Sequence, residues 1–447
     1  MLSEFCGRLV EGNAERLLLD VLLEQFRELR LLKAHGRQRT DSSHVLAAVR
    51  ALNRLELVRE TFRHSLDVLA TATPAWLQDY VLAEWLERYS GRSDEWRLPK
   101  SNEAQQQAAD RIGADGQILL AAVYAVNSPA WLRVVPAVET LRRVWVQNYV
   151  PTETGVRWRT HEDGLPTASL FISSPWDLDA HLGKKHTTCW VGYKVHLTET
   201  CEDDVPNLIT HVETTAAPTA AGEVTPRVHR ALQHQDMLPR VHLVDTGFLD
   251  AELLVASRQD FGVELLGPTR RDPRWQTRDA QGFGVEHFTV DWQQRQAICP
   301  EGHVSSEWSP RIDVRGNDSV YIRFRLSDCG PCPSRSQCTR STAKYPRRSI
   351  AVRPEPQYEA LRQRRALEAT RAYTHDYARR AGIEGTISQG VRRCGMRRSR
   401  YRGLERTHLG HVLTAAALHY ARVADWLAGT PRARTRHSPF ELLMAQH

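Results

Sequence analysis

The stretch EVTPRVHRALQHQDMLPRVHLVDTGFL, residues 223–249, joins a helical pattern to an apolar strand that ends in an acid. Other short runs rich in β-branched and aromatic residues surround it, namely CWVGYKVHLTE, NLITHVETTAA and VELLGPT, and turn residues bound each of them. Such runs are typical of strands. A helix over 223–236 between two strands predicts a crossover connection and a parallel pair, and therefore an α/β sheet.

Helical patterns precede this sheet region. Residues 14–34 have helical apolar spacing, with Asn13 as the expected N-cap and Gly36 as the stop. After a short polar break the pattern resumes near Val45 and continues to about Val150. We therefore expect a block of helices before the strands.

Composition limits the class of protein. With 447 residues the chain is long enough for two or three domains. Its net charge of +7 favours a polyanionic partner. No apolar run approaches the roughly 18 residues of a membrane span, so no membrane partner is expected. The amino terminus has no basic-then-apolar signal pattern, so a cytoplasmic, nucleoid-associated protein is expected.

Two aspartates lie at positions where a ligand-binding or metal-binding site is expected. Asp245 follows an apolar strand, and in an open α/β sheet ligands gather at the carboxyl ends of strands. The alternative is a turn aspartate that accepts backbone hydrogen bonds. Asp41, in RQRTDSSHVL, also has two interpretations. Either Asp41 or Ser42 caps a helix that begins near Val45, or Asp41 is a metal ligand at the end of a short first strand.

One glutamate lies just before a basic segment. In YARRAGIEGTISQG, the residues Tyr377, Arg380 and Glu384 are spaced i, i+3 and i+7, so they share one helix face. The alternative is a solvated face with a weak surface ion pair. Few long charged side chains surround the acid and two glycines flank it, which favours a functional site.

The basic segment holds seven arginines and interleaved serine and tyrosine. The arginines are Arg392, Arg393, Arg397, Arg398, Arg400, Arg402 and Arg406. Guanidinium groups bind phosphate through two parallel hydrogen bonds, and hydroxyl groups add further phosphate contacts. A solvated helix face usually mixes lysine with glutamate, so this composition favours nucleic-acid contact over that alternative.

Four cysteines cluster in a polar region. Cys299 lies in ICPEGH, and Cys329, Cys332 and Cys338 lie in DCGPCPSRSQC. A Cys-x2-Cys pair with two further cysteines is typical of a closed tetrahedral zinc site that stabilises a small insertion. The alternative is four free thiols.

These motifs resemble a known family. YARRAGIE matches the Tyr-x2-Arg-x3-Glu signature of bacterial insertion-sequence transposases with a DDE catalytic domain. HLVDTGFLDAELL resembles their segment with the second aspartate, and RTDSSHVLAAVRALNRLELV resembles the segment with the first. SPWDLDA, GYKVHLTET, the cysteine knuckle and residues 385–423 also resemble one group within the family. The likeness extends over nearly the whole chain.

The resemblance implies a fold and a catalytic triad. The fold would be RNase H-like, a mixed sheet flanked by helices, with a helical amino-terminal block and a Cys-rich insertion. Asp41, Asp245 and Glu384 would hold two Mg²⁺ or Mn²⁺ ions for in-line displacement at phosphorus. Water would cut first, and the freed 3′-hydroxyl would then attack target DNA. If Asp41 is not the first acid, Asp177 or Asp179 in SPWDLDA is the next candidate.

The resemblance also implies partners. The ligand would be double-stranded DNA, at inverted repeats and at the target, and a homodimer would act on the two ends of the element. A structural zinc ion would occupy the four-cysteine site. The residues expected to contact DNA are Tyr377, Arg380, Arg392, Arg393, Arg397, Arg398, Arg400 and Arg402.

The expected domain boundaries follow from these segments. We predict a helical remnant of an amino-terminal region, the first part of the catalytic domain with a helical insertion, a Cys-rich insertion, the helical end of the catalytic domain and a loosely held tail. Their ranges are 1–40, 41–271 (insertion about 43–160), 272–350, 351–430 and 431–447.

The chain departs from the family in two places. The family often has a lysine seven residues after the glutamate, where this chain has Val391. A helical DNA-binding region that usually precedes the first segment is expected to be missing. A truncated, non-catalytic DNA-binding remnant is therefore the alternative function. A zinc-ribbon RNA-binding or structural protein is a third, disfavoured because the aromatic signatures of common RNA modules are absent.

Overall fold

The structure, a computed structural model, describes residues 2–91, 96–278, 282–314, 316–342, 344–431 and 443–444. The expected loose tail, 431–447, therefore lies almost entirely outside the described residues. No helix within the described ranges is long and apolar enough to cross a membrane.

The first half of the chain contains the amino-terminal helices, a long strand and the helical block. These elements are α1 (Leu2–Glu11), α2 (Leu17–Glu28), β1 (His35–Leu46), α3 (Arg54–Ala72), α4 (Pro74–Gln78), α5 (Ala83–Tyr89), α6 (Asn102–Tyr124), α7 (Pro136–Asn148), β2 (Tyr149–Thr152) and β3 (Gly155–Trp158). The strands of the central sheet follow with two helices. They are β4 (His181–Lys185), β5 (Thr188–Thr200), β6 (Ile209–Ala216), α8 (Ala221–His234), β7 (Pro239–Leu243), α9 (Ala251–Phe261) and β8 (Glu264–Leu266).

The second half contains the Cys-bearing segment and the carboxyl-terminal helices. Its elements are α10 (Trp275–Arg278), β9 (Thr289–Asp291), β10 (Gln296–Ile298), β11 (Glu307–Ile312), β12 (Asp318–Arg323), α11 (Leu326–Cys329), α12 (Arg335–Cys338), β13 (Ser349–Val352), α13 (Glu355–Glu368), α14 (Arg371–Ala378), α15 (Gly382–Cys394) and α16 (Leu404–Leu427). Short 3-10 helices occur at Ala130–Val134, Thr246–Phe248, Val285–His287 and Arg379–Ala381.

The central sheet is mixed and curled. Its order is β4-β5-β1-β7-β8, and β6 also pairs with β5. β5 runs antiparallel to β4, β1 and β6, whereas β7 is parallel to both β1 and β8. The predicted α/β class and the crossover helix over 223–236, which is α8, are confirmed. The parallel partners of β7 are β1 and β8 rather than the strand that precedes α8.

Separate cores hold the layers together. The main core lies between the sheet and helices α2, α15 and α16, and it includes Leu23, Val195, Val212, Ile387 and Leu418. A smaller core lies among α8, α9 and the neighbouring strands. The helical block and the Cys-bearing segment each have their own apolar cluster. Helices therefore cover the sheet, and the helical block and the Cys-bearing segment each pack around a core of their own.

Three predicted helix boundaries are wrong. α2 begins after Arg16 rather than after Asn13, whose φ of 51° is left-handed, and Gly36 lies inside β1. The helical pattern at Val45 belongs to the end of β1, a strand with hydrogen-bonded neighbours on both edges. Those partners are distant in the chain, so pairing overrides the local apolar spacing. The following helix starts only at Arg54.

Candidate active site

Strand register places the two candidate aspartates side by side. β1 pairs in parallel with β7 as far as Arg39 opposite Leu243. Asp41 and Asp245 each lie two residues further along, and alternate residues of a strand face the same side. The charge on Asp245 helps to raise the pKa of Asp41. Asp41 thus lies in a strand and does not cap a helix, and Asp245 also accepts a hydrogen bond from the Thr246 N–H at 2.7 Å.

Glu384 reaches these aspartates through Arg380. Glu384 lies in the first turn of α15, directly after the 3-10 helix that contains Arg380. One guanidinium nitrogen, Nη2, donates to Asp41 Oδ2 at 2.7 Å, and Nη1 donates to Glu384 Oε1 at 3.2 Å. The Arg380 side chain is 14% exposed and that of Glu384 is 65% exposed. A mostly buried cation therefore joins an acid of β1 to an acid of α15.

The charges of all three acids affect the pKa values of the same two residues, Tyr377 and Arg380. Burial raises the pKa of Tyr377 to about 12, and the charges of Asp245, Asp41 and Glu384 add to this rise. Burial opposes the charge on Arg380, but the same acids offset this effect and raise its pKa. The three acids therefore lie near Tyr377 and Arg380. Tyr377 also stacks on Tyr373, with ring centroids 5.4 Å apart.

Burial has the largest influence on the charge state of Asp41. Burial is the largest effect and raises the pKa of Asp41, whereas Arg380, the Ser42 N–H and Lys185 act in the opposite direction. A partly buried carboxylate beside a second one needs positive charge to stay ionised. Arg380 supplies that charge in this structure.

A buried ion network fixes α15 against β1. Glu199 of β5 is fully buried and accepts hydrogen bonds from Arg39 Nε at 2.8 Å, Arg422 Nη1 at 2.8 Å and the Thr386 hydroxyl at 2.6 Å. Arg39 belongs to β1, Thr386 to α15 and Arg422 to α16. A Cβ at Gly382 would collide with the Arg39 guanidinium, so the first turn of α15 approaches β1 more closely than a side chain allows.

The donor set fits a hard divalent cation. Carboxylate oxygens are the ligands that Mg²⁺ and Mn²⁺ prefer. Over the described ranges, however, no three His, Cys, Asp or Glu side chains already form a group that could hold a metal ion. Arg380 lies between two of the acids. The residues therefore fit the ion by chemistry, and the guanidinium would have to move for them to share it.

The candidate first acids in SPWDLDA have other partners. Asp177 is buried and accepts a hydrogen bond from the Tyr193 hydroxyl at 2.6 Å. Asp179 Oδ2 accepts the Leu404 N–H at 2.9 Å, which holds the start of α16. These contacts connect β5 and α16 to the loop before β4, and they leave Asp41 as the acid next to Asp245.

The predicted DNA-contacting arginines are exposed and lie beside β1. The exposed members are Arg392, Arg393, Arg397, Arg398, Arg400 and Arg402. No ion pair involving them occurs within the part of the chain that the structure describes. Arg392 and Arg393 lie in the last turn of α15, and the loop that follows pairs with the end of β1, since the Leu46 N–H donates to the Arg397 carbonyl at 2.8 Å. Arg397 Nε donates to Ser43 Oγ at 2.9 Å, two residues beyond Asp41.

The four candidate zinc ligands line one small cavity. Cys299, Cys329, Cys332 and Cys338 face it together with phenylalanine rings. Burial raises the pKa of the Cys338 thiol to about 11, and the three other cysteines add to this rise. Four sulfur donors around one point fit Zn²⁺, although no described group is already arranged to hold a metal. The zinc ion remains a prediction.

Two residues near the site were not singled out from the sequence. Glu199 looks like any acid in a strand with alternating pattern, and only tertiary packing shows its buried partners. Lys185 belongs to a short basic run, GKKH, whose meaning depends on where the β4–β5 hairpin folds.

Comparison with known protein families gives a match over part of the chain. Residues 298–424 match the family model of a transposase DDE domain. The matched part runs from the end of β10 into α16, so it contains Glu384 and Arg380 but neither Asp41 nor Asp245. A transposase DDE domain implies DNA binding and transposase-type catalysis, and DDE transposases generally use divalent metal ions. No curated protein matches the chain.

Proposed function

We propose that this protein is a DNA transposase that cuts and joins DNA strands of an insertion sequence with the acids Asp41, Asp245 and Glu384. The observation that supports this most is the convergence of the three acids around Arg380 and Tyr377. They come from β1, the end of β7 and α15, and only the last lies within the matched DDE segment. Two acids outside that segment thus meet the one inside it.

An RNase H-like catalytic domain is the fold that this proposal requires. A mixed central sheet covered by helices supports it. So does the placement of two acids after adjacent parallel strands, at an edge where ligands gather in α/β sheets. The helical block after β1 and the Cys-bearing segment after β8 would be insertions in that domain.

Each residue has a distinct task in the proposed reaction. Asp41, Asp245 and Glu384 would bind Mg²⁺ or Mn²⁺, and such ions activate an attacking oxygen and stabilise a leaving one. Arg380 would leave Asp41 and Glu384 for a DNA phosphate, and Tyr377 would position Arg380. The exposed arginines from Arg392 to Arg402 would bind the backbone around the cut. A homodimer would hold the two inverted repeats.

The test is metal-dependent nicking of DNA that contains the sequences flanking the gene. The variant Glu384→Gln removes one metal ligand with little change in shape. Nicking should fall about a hundredfold or more, because the bound metal ions lower the reaction barrier by several kcal/mol and the variant lacks one of their ligands. DNA binding, measured by fluorescence anisotropy, should stay within twofold.

A matched control uses another acid at a helix start. Glu405 is exposed in the first turn of α16, so Glu405→Gln should nick DNA at the normal rate. If Glu384→Gln cuts as fast as the unchanged protein, the triad is refuted. If the unchanged protein binds DNA and never nicks it with either metal ion, the non-catalytic DNA-binding alternative is correct.

A further inference from the structure

The β4–β5 hairpin presents an exposed basic tip on a rigid base. Lys185 pairs with Thr188, so His186 and Thr187 form a tight two-residue turn. All residues from 184 to 189 are exposed. The base is held by Trp190, which is buried and donates from Nε1 to the Tyr193 carbonyl at 3.0 Å.

The hairpin folds back over the candidate active site. Asp41 pairs with Leu197, nine residues along β5 from Thr188, so a straight strand would separate the tip from Asp41 by about 30 Å. The strand bends instead, because Trp190 Nε1 donates to the Tyr193 carbonyl three residues further on at 3.0 Å, and the Trp190 ring lies 5.5 Å from the ring of His44 on β1. In agreement with this bend, burial raises the pKa of Asp41 and Lys185 is among the nearby charges that lower it. The turn point is Gly192, whose φ of 150° few other residues adopt and where a Cβ would collide with the Val45 carbonyl.

The hairpin tip and the arginine segment are neighbours at His44. The His44 ring lies 5.5 Å from the Trp190 ring at the hairpin base. Burial lowers the pKa of His44, and the charges of Arg397 and Lys185 lower it further. His44 itself lies on β1, three residues beyond Asp41. Two basic elements from distant parts of the chain therefore meet next to the acids.

Lys185 has no acidic partner that would occupy it. Among the described residues it forms no ion pair, although it is close enough to act on Asp41. Its neighbour Lys184 carries the same charge and is equally exposed, but successive strand residues point to opposite faces. Lys185 is therefore the lysine on the side of the acids.

We propose that Lys185 binds a DNA phosphate next to the one that is cut, so that the β4–β5 hairpin and the arginine segment both bind the DNA backbone. This proposal rests on the proposed function and adds a second DNA-binding element to it. A compact ammonium on a flexible stem suits a phosphate contact that forms only when DNA is present. An acidic peptide would be recognised by the same charges but would not need the hairpin beside the metal-binding acids.

The test compares Lys185→Ala with Lys184→Ala in the full chain. Affinity for a linear DNA duplex, followed by fluorescence anisotropy, should fall roughly three- to tenfold for Lys185→Ala at low salt. The slope of log affinity against log salt concentration should become about one unit shallower, because a protein that makes one phosphate contact fewer releases about one counterion fewer. Nicking of plasmid DNA should fall at least as much. Lys184→Ala should stay within twofold in both measurements, and Lys185→Arg should restore binding.

The outcomes distinguish a failure of this proposal from a failure of the proposed function. If the unchanged protein binds and nicks DNA but both alanine variants behave alike, Lys185 has no specific role and only this proposal fails. If the unchanged protein neither binds nor nicks DNA, the proposed function is refuted, and the proposed role of Lys185 is refuted with it. Because the tip is exposed, loss of folding will not obscure the result, and thermal unfolding of both variants checks this.

Discussion

Arg380 is the residue on which the candidate site depends most. Its guanidinium donates to Asp41 and Glu384 and is mostly buried between them. In that position it neutralises acids that would otherwise repel one another, and it competes with any metal ion for the same oxygens. One residue would thus stabilise the free site and bind phosphate in the loaded one.

Arg380→Gln should bind Mn²⁺ more tightly and cut DNA more slowly. Removing a unit positive charge next to two carboxylates should raise Mn²⁺ affinity about tenfold at the effective dielectric of a partly buried site. Isothermal titration with Mn²⁺ in the absence of DNA measures this. Arg379→Gln is the matched control, because Arg379 pairs instead with Asp203 at 2.6 Å. Equal or weaker Mn²⁺ binding by Arg380→Gln would show that the guanidinium does not compete with the metal.

At the scale of single elements, α15 is positioned by charge as well as by apolar packing. Its first turn carries Glu384, and its buried face combines Ile383 and Ile387 with Thr386, which bonds to Glu199. Burial pushes the pKa of Glu199 upward, but Arg422 and Arg39 overcome that effect and lower it. The glutamate therefore stays ionised between two arginines.

Glu199→Gln should destabilise the protein strongly. Two buried guanidinium groups would lose their counter-charge, at a cost of about 3–5 kcal/mol in the free energy of unfolding. Urea denaturation at neutral pH measures the loss, with Glu162→Gln, at an exposed site, as a control that should change little. Because the folded-state pKa of Glu199 is lowered, its contribution is present at neutral pH and is lost as the pH falls through that pKa. The gap between variant and wild type should therefore narrow in acid, and a constant gap would contradict the role of the charge.

The Cys-bearing segment is a second part of the chain, and we predict that a bound zinc ion stabilises it. Its small sheet of β11, β12 and β13 contributes to a small apolar cluster, and Cys299, Cys329 and Cys338 pack against that cluster. A core of that size gains most from a cross-link or a bound metal.

We therefore expect about one zinc ion per purified chain, and loss of that zinc in Cys332→Ser or Cys338→Ser. Mass spectrometry of metals measures the content, and a chelator should lower the melting temperature of the unchanged protein. Cys189→Ser is the control, because Cys189 is exposed on the β4–β5 hairpin far along the chain from the cluster. Zinc-free protein with unchanged melting would leave only the free-thiol interpretation.

At the scale of the whole molecule, buried histidines connect the layers. His229 of α8 bonds to His242 of β7 at 2.8 Å, and His242 bonds to the Thr40 hydroxyl of β1 at 2.7 Å. His419 of α16 accepts the Ile209 N–H at 2.8 Å. Burial lowers the pKa of His229 to about 4 and that of His419 to about 3. These rings are therefore neutral in the folded protein.

Stability should fall when the pH drops below neutrality. An unfolded histidine gains a proton near pH 6.5, whereas these buried ones do not, so stability is complete above that pH and declines below it. By pH 5 each such histidine costs about 2 kcal/mol. Urea unfolding at pH 7.5 and pH 5 should show a loss of several kcal/mol. In His419→Gln, whose amide oxygen can accept the same N–H, the loss should be about 2 kcal/mol smaller; an equal loss would contradict this prediction.

The sequence by itself determined the elements whose signals are local. The apolar and β-branched runs marked β5 to β8, and the helical spacing marked α8 and the carboxyl-terminal helices. Asp245 and Asp41 were candidates because they were expected at the ends of strands, and Glu384 because it lies just before a basic segment. The resemblance to DDE transposases implied that the three act together. What the sequence left open was how these residues meet.

Tertiary structure alone decided the site itself. It made the segment around Asp41 a strand, since β5 and β7 pair with it from both sides, and the register then put Asp41 beside Asp245. It placed Arg380 between two acids that lie more than three hundred residues apart, and it brought the β4–β5 hairpin with Lys185 close to the strand that contains Asp41. These contacts join residues remote in the chain, and their partners depend on burial and strand pairing, which no local pattern of residues encodes.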